Sequence, residues 1–477
     1  MTQLAEHCLE SPPAEMEVMP AAAATLRSAG PGSPSSRRLG RLTGMRFFAA
    51  LAVVLCHVGY RFTNTNSVNV AESYGYVGVS FFFVLSGIVL TWGYSGQPAH
   101  RFVWRRLCRI WPLQFLVALF AFTALASQEK PTGAAGHVLQ VVLLQAWSPK
   151  QKIYFGGNGV SWSLSCEIFF YALFPFVIRP LRRLGRRGLL AAFGSMIALL
   201  AIVPALALAH GVSAPMYYWL FFVFPPYRFG EFFLGMILAR AVQLGLRLPR
   251  PQLAQIAAVG SLAGVVYALT RYTVATGSDV SRPYAALLVL PFLVALILGA
   301  VTLDVGGVPS WLGARPMLRL GEWSFALYLV HKPIFLLTEQ WNWWNHATGA
   351  FGDLAGFCGF CALVVGAAAL LYYGVERPLE RALRVVPQHF AKLSTSAAKL
   401  ASRIGWPRRQ KCQAAEVGTD VGVEVASDCD TGVASNPERP LVGLPIRSPA
   451  PNFTEHRDLV DRRCEASPLE VGRIVTR

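Results

Sequence analysis

Residues 283–303, PYAALLVLPFLVALILGAVTL, contain no Asp, Glu, Lys or Arg, and their reading decides the fold. A helix rises about 1.5 Å per residue, so a run of this length crosses the roughly 30 Å hydrocarbon core of a bilayer. Further apolar runs lie on either side. The spans they predict are 44–62, 76–95, 108–127, 162–179, 188–209, 216–240, 253–270, 283–303, 319–340 and 353–375. The 477-residue chain is 54% apolar and 14% charged, against roughly 45–50% and about 25% in soluble domains. Lipid rather than water is its solvent, and the expected fold is all-α: a polytopic transmembrane bundle of about ten helices.

Positive charge alternates between loops. Arg37, Arg38 and Arg41 precede the first span. Arg101, Arg105 and Arg106 follow the second, Arg182, Arg183, Arg186 and Arg187 the fourth, Arg247 and Arg250 the sixth, Arg315 the eighth, and Arg377, Arg381 and Arg384 the tenth. The intervening loops are poorer: Arg61 alone in the first, three Lys in the third, two Arg in the seventh, none in the fifth or ninth. Lys and Arg concentrate on cytoplasmic loops, so this pattern predicts an even number of spans with both termini cytoplasmic. It also accounts for much of the formal net charge of +17 without a nucleic-acid partner. Nine scattered cysteines imply no disulfide framework. Cys358 and Cys361, inside a span, read as packing residues, and no metal site is expected.

Residues 1–40 are rich in Ala, Pro, Ser and Gly and lack the basic-then-apolar onset of a secretory signal, which predicts a disordered cytoplasmic arm. Residues 385–477 lose the apolar runs, mix charges of both signs and carry few aromatics, which predicts a disordered cytoplasmic tail. The transmembrane domain is expected over 41–384.

An ionisable side chain at bilayer depth costs at least roughly 2.5–3.5 kcal/mol for Asp, Lys or Arg, so each one marks a candidate site. Arg46 and His57 are eleven residues apart in the first span. That spacing returns to within about 20° of one helix face, roughly 16 Å further along the axis. Glu167 lies near the outer end of the fourth span, at the depth expected for His57. Arg228 and Glu231, three apart, read equally well as a structural ion pair or as part of a binding site. His331, one turn after Tyr328, reads as a bundle-facing or an interfacial residue. Arg105, Arg106 and Arg109 suit either an anchor to lipid headgroups or a clamp for a phosphate group.

Several segments together resemble the acyltransferase-3 family of membrane-bound O-acyltransferases: Arg46 to His57 as an Arg-x10-His signature, Gly78 to Gly87, Arg106-Leu107-Cys108-Arg109 as an Arg-x-x-Arg element, Ser161 to Tyr171, Leu327 to Pro333, and Val375 to Pro378. They cover about residues 41–380. Ser80 stands where many members have an acidic residue, and Ile168 where many have a second carboxylate or amide.

The resemblance implies a bacterial inner or plasma membrane enzyme with acyl-coenzyme A as co-substrate and no resident cofactor. Its acceptor would be a hydroxyl of a glycan or of a glycosylated natural product such as a macrolide. Arg46, Arg106 and Arg109 would bind the donor phosphates from the cytoplasm, with Arg228, Glu231, Tyr328 and His331 as further substrate-binding candidates. His57 would act as general base, since an imidazole suits proton abstraction near neutral pH, and Glu167 would orient it. A proton-coupled transporter or a glycan flippase would also place His, Glu and Arg inside such a bundle. A transporter would be expected to show internal repeats between its halves, and none is evident in the sequence.

Overall fold

The computed structural model describes residues 39–59, 74–124, 133–276, 282–341 and 350–385. The arm expected over 1–40 and the tail expected over 385–477 lie outside them, apart from Leu39, Gly40 and Val385. Ten long helices lie among the described residues: α1 Gly40–Val58, α2 Val77–Trp92, α3 Ala99–Ala124, α4 Trp162–Arg183, α5 Arg186–Ala209, α6 Pro225–Gln243, α7 Pro251–Thr276, α8 Arg282–Val305, α9 Arg315–Gln340 and α10 Ala350–Leu371. No strand occurs among the described residues.

Each expected span overlaps one of these helices, with two displaced boundaries: the span expected over 216–240 begins in a short helix, Ala214–Tyr218, and a turn, Trp219–Val223, ahead of α6. Helix α3 begins at Ala99, so Arg101, Arg105 and Arg106, expected in a loop, are helical. Hydropathy locates the apolar part of a helix and misses its charged start, although Arg is a good helix former. The connection before α4, read from sequence as a plain loop, holds a short helix at Gly133–Val141 and a single turn at Gln151–Tyr154.

Nine helical segments among the described residues are long and apolar enough to cross a membrane. Helix α9 is not one of them, although it has 26 residues, because Glu322, His331 and Lys332 lower its hydropathy. Two polar positions of α9 face protein: Ser324 and His331 are fully buried, whereas Glu322 is exposed. The reverse holds for α5 and α7, whose most apolar stretches are only 17% buried. Leu190 and Ile202 of α5 and Ile256 and Tyr267 of α7 lie exposed. In water that would be a large apolar surface to hydrate, and a bilayer removes the cost.

Packing is tightest where glycines let backbones touch. A Cβ at Gly235 of α6 would collide with the carbonyl of Val84 on α2, and one at Gly87 with the carbonyl of Phe232. Small residues of this kind drive helix contact in membranes, where apolar burial gives little. We therefore expect Gly235→Val to destabilise the fold by at least about 1–3 kcal/mol, the usual cost of overpacking. Gly260→Val, with nothing within 4 Å of the new Cβ, should leave it unchanged; thermal unfolding of the two purified variants checks this. At one end of the bundle Arg41 ties α1 to α8 through a 3.3 Å ion pair with Asp304. Its guanidinium also donates to the carbonyls of Val308 and Pro309, both at 2.9 Å.

Candidate active site

Helices α1, α2, α3, α4 and α9 enclose a cavity of about 90 Å³. Its walls include Arg46 from α1, Arg106 and Arg109 from α3, Glu167 and Tyr171 from α4, and Tyr328 from α9. Five of the nine candidate residues read from sequence thus meet on one surface. The space is narrow, and it suits a slender chain better than a whole nucleotide.

Helical periodicity places the polar groups. Ser163, Glu167 and Tyr171 are each four apart on α4 and share a face. The Tyr171 hydroxyl donates to Glu167 Oε2 at 3.0 Å. Arg46 Nε donates to Ser324 Oγ on α9 at 3.3 Å, and Ser324 donates in turn to the Gly321 carbonyl at 2.7 Å. One turn further along α9, the Tyr328 hydroxyl donates to the Val160 carbonyl at 2.8 Å and lies 2.7 Å from Ser163 Oγ. Arg106 packs over the ring of Phe102. Glu167 sits in the field of Arg46, Arg109 and Arg106. Glu376, 98% buried beyond the end of α10, sits in the field of Arg109 and Arg46. The arginine cluster is thus partly balanced, with Glu380 also within electrostatic reach of Arg106 and Arg109.

His57 and His331 lie outside the walls of this cavity and against each other. His57 Nδ1 is 2.8 Å from the Val53 carbonyl and 3.4 Å from His331 Nε2. A carbonyl only accepts, so Nδ1 of His57 carries the proton. His331 Nδ1 faces the Leu327 carbonyl at 3.3 Å, which makes it the donor as well and turns the lone pair of His331 Nε2 toward the His57 N–H. His57 Nε2 is then the unprotonated nitrogen, and among the described residues no hydrogen bond occupies it. The Tyr328 ring, which lines the cavity, is 6.1 Å from that of His331.

The structure does not pair Glu167 with His57. The bond to Tyr171 and the neighbouring arginines put Glu167 at the level of Arg46, while Ser163, one turn nearer the start of α4, is the residue level with Tyr328. The expected match of depth counted residues from the span ends, and such a count does not fix which side chains of two helices meet. His331 holds the position assigned to Glu167.

Arg228 and Glu231 are buried elsewhere. Arg228 Nη1 is 2.9 Å from Glu231 Oε1. Ser80 Oγ donates to the same oxygen at 3.1 Å and accepts from Arg228 Nη2 at 3.2 Å. The guanidinium is stacked over Phe83 and Phe222, 5.1 and 5.5 Å from the ring centroids. Phe83 lines the cavity, so this ion pair stands behind one of its walls. Tyr171, Ser163, Ser324 and Glu376 were missed as candidates. The i, i+4 recurrence of polar residues on α4 was the signal available for the first two; nothing local in sequence joins Ser324 to Arg46 or Glu376 to Arg109.

A family model described as an acyltransferase domain, acyltransferase 3, matches residues 39–373, and the chain belongs to this family. It is therefore a multi-pass membrane acyltransferase, and the transporter and flippase readings give way. Among particular proteins, it is 32% identical over 378 residues to acyltransferase MdmB of Streptomyces mycarofaciens, covering 73% of this chain and 94% of that one. It is 26% identical over 333 residues to YrhL of Bacillus subtilis, provisionally named a peptidoglycan O-acetyltransferase, covering 63% and 49% respectively. With the O-acetyltransferase OatA of Staphylococcus aureus the identity is 23% over 329 residues, covering 64% and 52%. The matched region spans about half the length of these last two relatives. No solved structure matches the chain significantly.

Proposed function

We propose that the protein transfers an acyl group, acetyl in the simplest case, from acyl-coenzyme A to a hydroxyl of a glycan or a glycosylated natural product such as a macrolide. The observation that carries this is a cavity with three arginines at one end and a histidine pair just beyond its other end. Guanidinium groups bind phosphate oxygens in a fork, so Arg46, Arg106 and Arg109 hold the donor's phosphates at the mouth. The narrow cavity takes only the extended arm that carries the thioester. His57 Nε2 removes the proton of the acceptor hydroxyl as that oxygen attacks the thioester carbonyl. The ester forms, the C–S bond breaks, and the proton passes from His57 to the departing thiolate. His331 Nε2 and the Val53 carbonyl stabilise the intermediate imidazolium by accepting from its Nδ1–H. The arginine end faces the cytoplasm of a bacterial inner or plasma membrane, with both termini on that side, in keeping with the loop charges.

The test uses the full chain in lipid nanodiscs with acetyl-coenzyme A and a panel of saccharide and macrolide alcohols, following free thiol and product mass. Wild type should yield an acyl ester. Arg109→Gln should raise the donor KM about tenfold or more, since a hydrogen bond to a charged group contributes about 1.5–3 kcal/mol. Absence of any ester, or a donor KM that ignores Arg109, would sink the reading.

A further inference from the structure

A second polar constellation lies on the other side of the histidines from the arginine cavity. Arg282, at the first position of α8, is exposed and has no carboxylate partner among the described residues. Its guanidinium lies 5.4 Å from the ring centroids of both Tyr76 and Tyr218 and 5.5 Å from that of Phe222. It donates from Nη1 to the Tyr218 hydroxyl at 2.6 Å. Tyr154 is within electrostatic reach of the same guanidinium, is 3% exposed, and has a phenol that burial pushes up to about 12, so it stays protonated. Phe155 joins the group through Tyr154 and Tyr218, at ring separations of 4.6 and 6.2 Å.

One member is unsatisfied. Tyr76 is 6% exposed, and its hydroxyl has no hydrogen-bond partner among the described residues. A buried hydroxyl left unpaired is costly, so a partner supplied from outside is favoured. The cluster also adjoins the histidines. A Cβ at Gly75 would stand 2.9 Å from Cβ of Cys56, the residue before His57, and Arg282 is within electrostatic reach of His57 itself.

We infer that Arg282 with Tyr76, Tyr154 and Tyr218 forms the acceptor subsite and takes a hydroxyl-rich ring, a glycosyl unit. A forked donor and three phenols match the oxygens of such a ring, and the half-buried Phe155 matches its apolar C–H side. Small-molecule sites combine aromatic walls with a few fixed polar groups in this way. The inference rests on the proposed reaction for its purpose, but binding can be measured without turnover.

The experiment measures equilibrium binding of chitobiose and of erythromycin to the full chain in nanodiscs, for wild type, Arg282→Gln and Arg282→Lys. Acyl transfer from acetyl-coenzyme A to ethanol, which is too small to reach the cage, is followed alongside. Arg282→Gln should weaken binding of at least one probe tenfold or more, with the Lys variant in between. Donor KM should be unchanged, and transfer to ethanol should change far less than binding, since Arg282 reaches His57 only through its field. If binding ignores Arg282, if wild type binds neither probe, or if transfer to ethanol falls as steeply as binding, the subsite is not there. Arg282-dependent binding without transfer to any alcohol would leave the subsite standing and overturn the proposed reaction instead.

Discussion

Protein carrying His57→Ala should bind acyl-coenzyme A as tightly as wild type and transfer its acyl group about 100 to 10,000 times more slowly, the range that a positioned general base contributes. Donor affinity survives because the arginines, not His57, line the cavity. The partner histidine makes the expectation sharper. His331→Leu removes the acceptor facing His57 Nδ1, 3.4 Å away, and leaves the imidazolium with the Val53 carbonyl alone. Losing a hydrogen bond to a charged group costs about 1.5–3 kcal/mol, which is about a tenfold to hundredfold fall in kcat. His331→Gln, whose amide oxygen can take the place of Nε2, should recover most of that loss. Single-turnover rates with saturating donor separate the two steps. Equal rates for wild type and His57→Ala would make His57 structural, and equal losses in the Leu and Gln variants would reduce His331 to a packing residue.

The elements that could be read from sequence are those set by a local period or by composition. Every long helix is announced by an apolar run, including α8, whose uncharged stretch ends at Asp304. The Arg46 and His57 pairing on one face of α1 follows from 3.6 residues per turn. Contacts between helices do not follow from either rule. Glu167 looked level with His57 because both are a few residues from the end of a span, yet its partners are Tyr171 and the arginines. How helices register against one another depends on backbone contacts, such as Gly321 of α9 against the Thr43 carbonyl of α1, which no single stretch of sequence displays. The His57 and His331 contact joins residues 274 apart in the chain. Pattern reading singled out both side chains and could not join them.

Arg228 and Glu231 are the charged pair for which sequence left two roles open, and the expected stabilities of their variants distinguish them. Arg228 is 1% and Glu231 5% exposed, so removing either charge strands the other in a low dielectric. Arg228→Met and Glu231→Met should each cost about 3–5 kcal/mol, as breaking a buried pair does. The double variant removes both desolvation costs together, and Ser80 is freed to bond to its own helix as serines do, so it should recover more than half of either single loss. Ser80 is the informative neighbour. An acidic residue there, as in many family members, would set two carboxylates around one guanidinium, whereas here the charges balance one to one. Unfolding midpoints of the four proteins give the coupling between the two sites, and acyl transfer by the double variant gives the function. A stable double variant with near wild-type transfer fixes the pair as a brace behind Phe83. A stable one that no longer transfers would mean that the charges act on substrate through that wall.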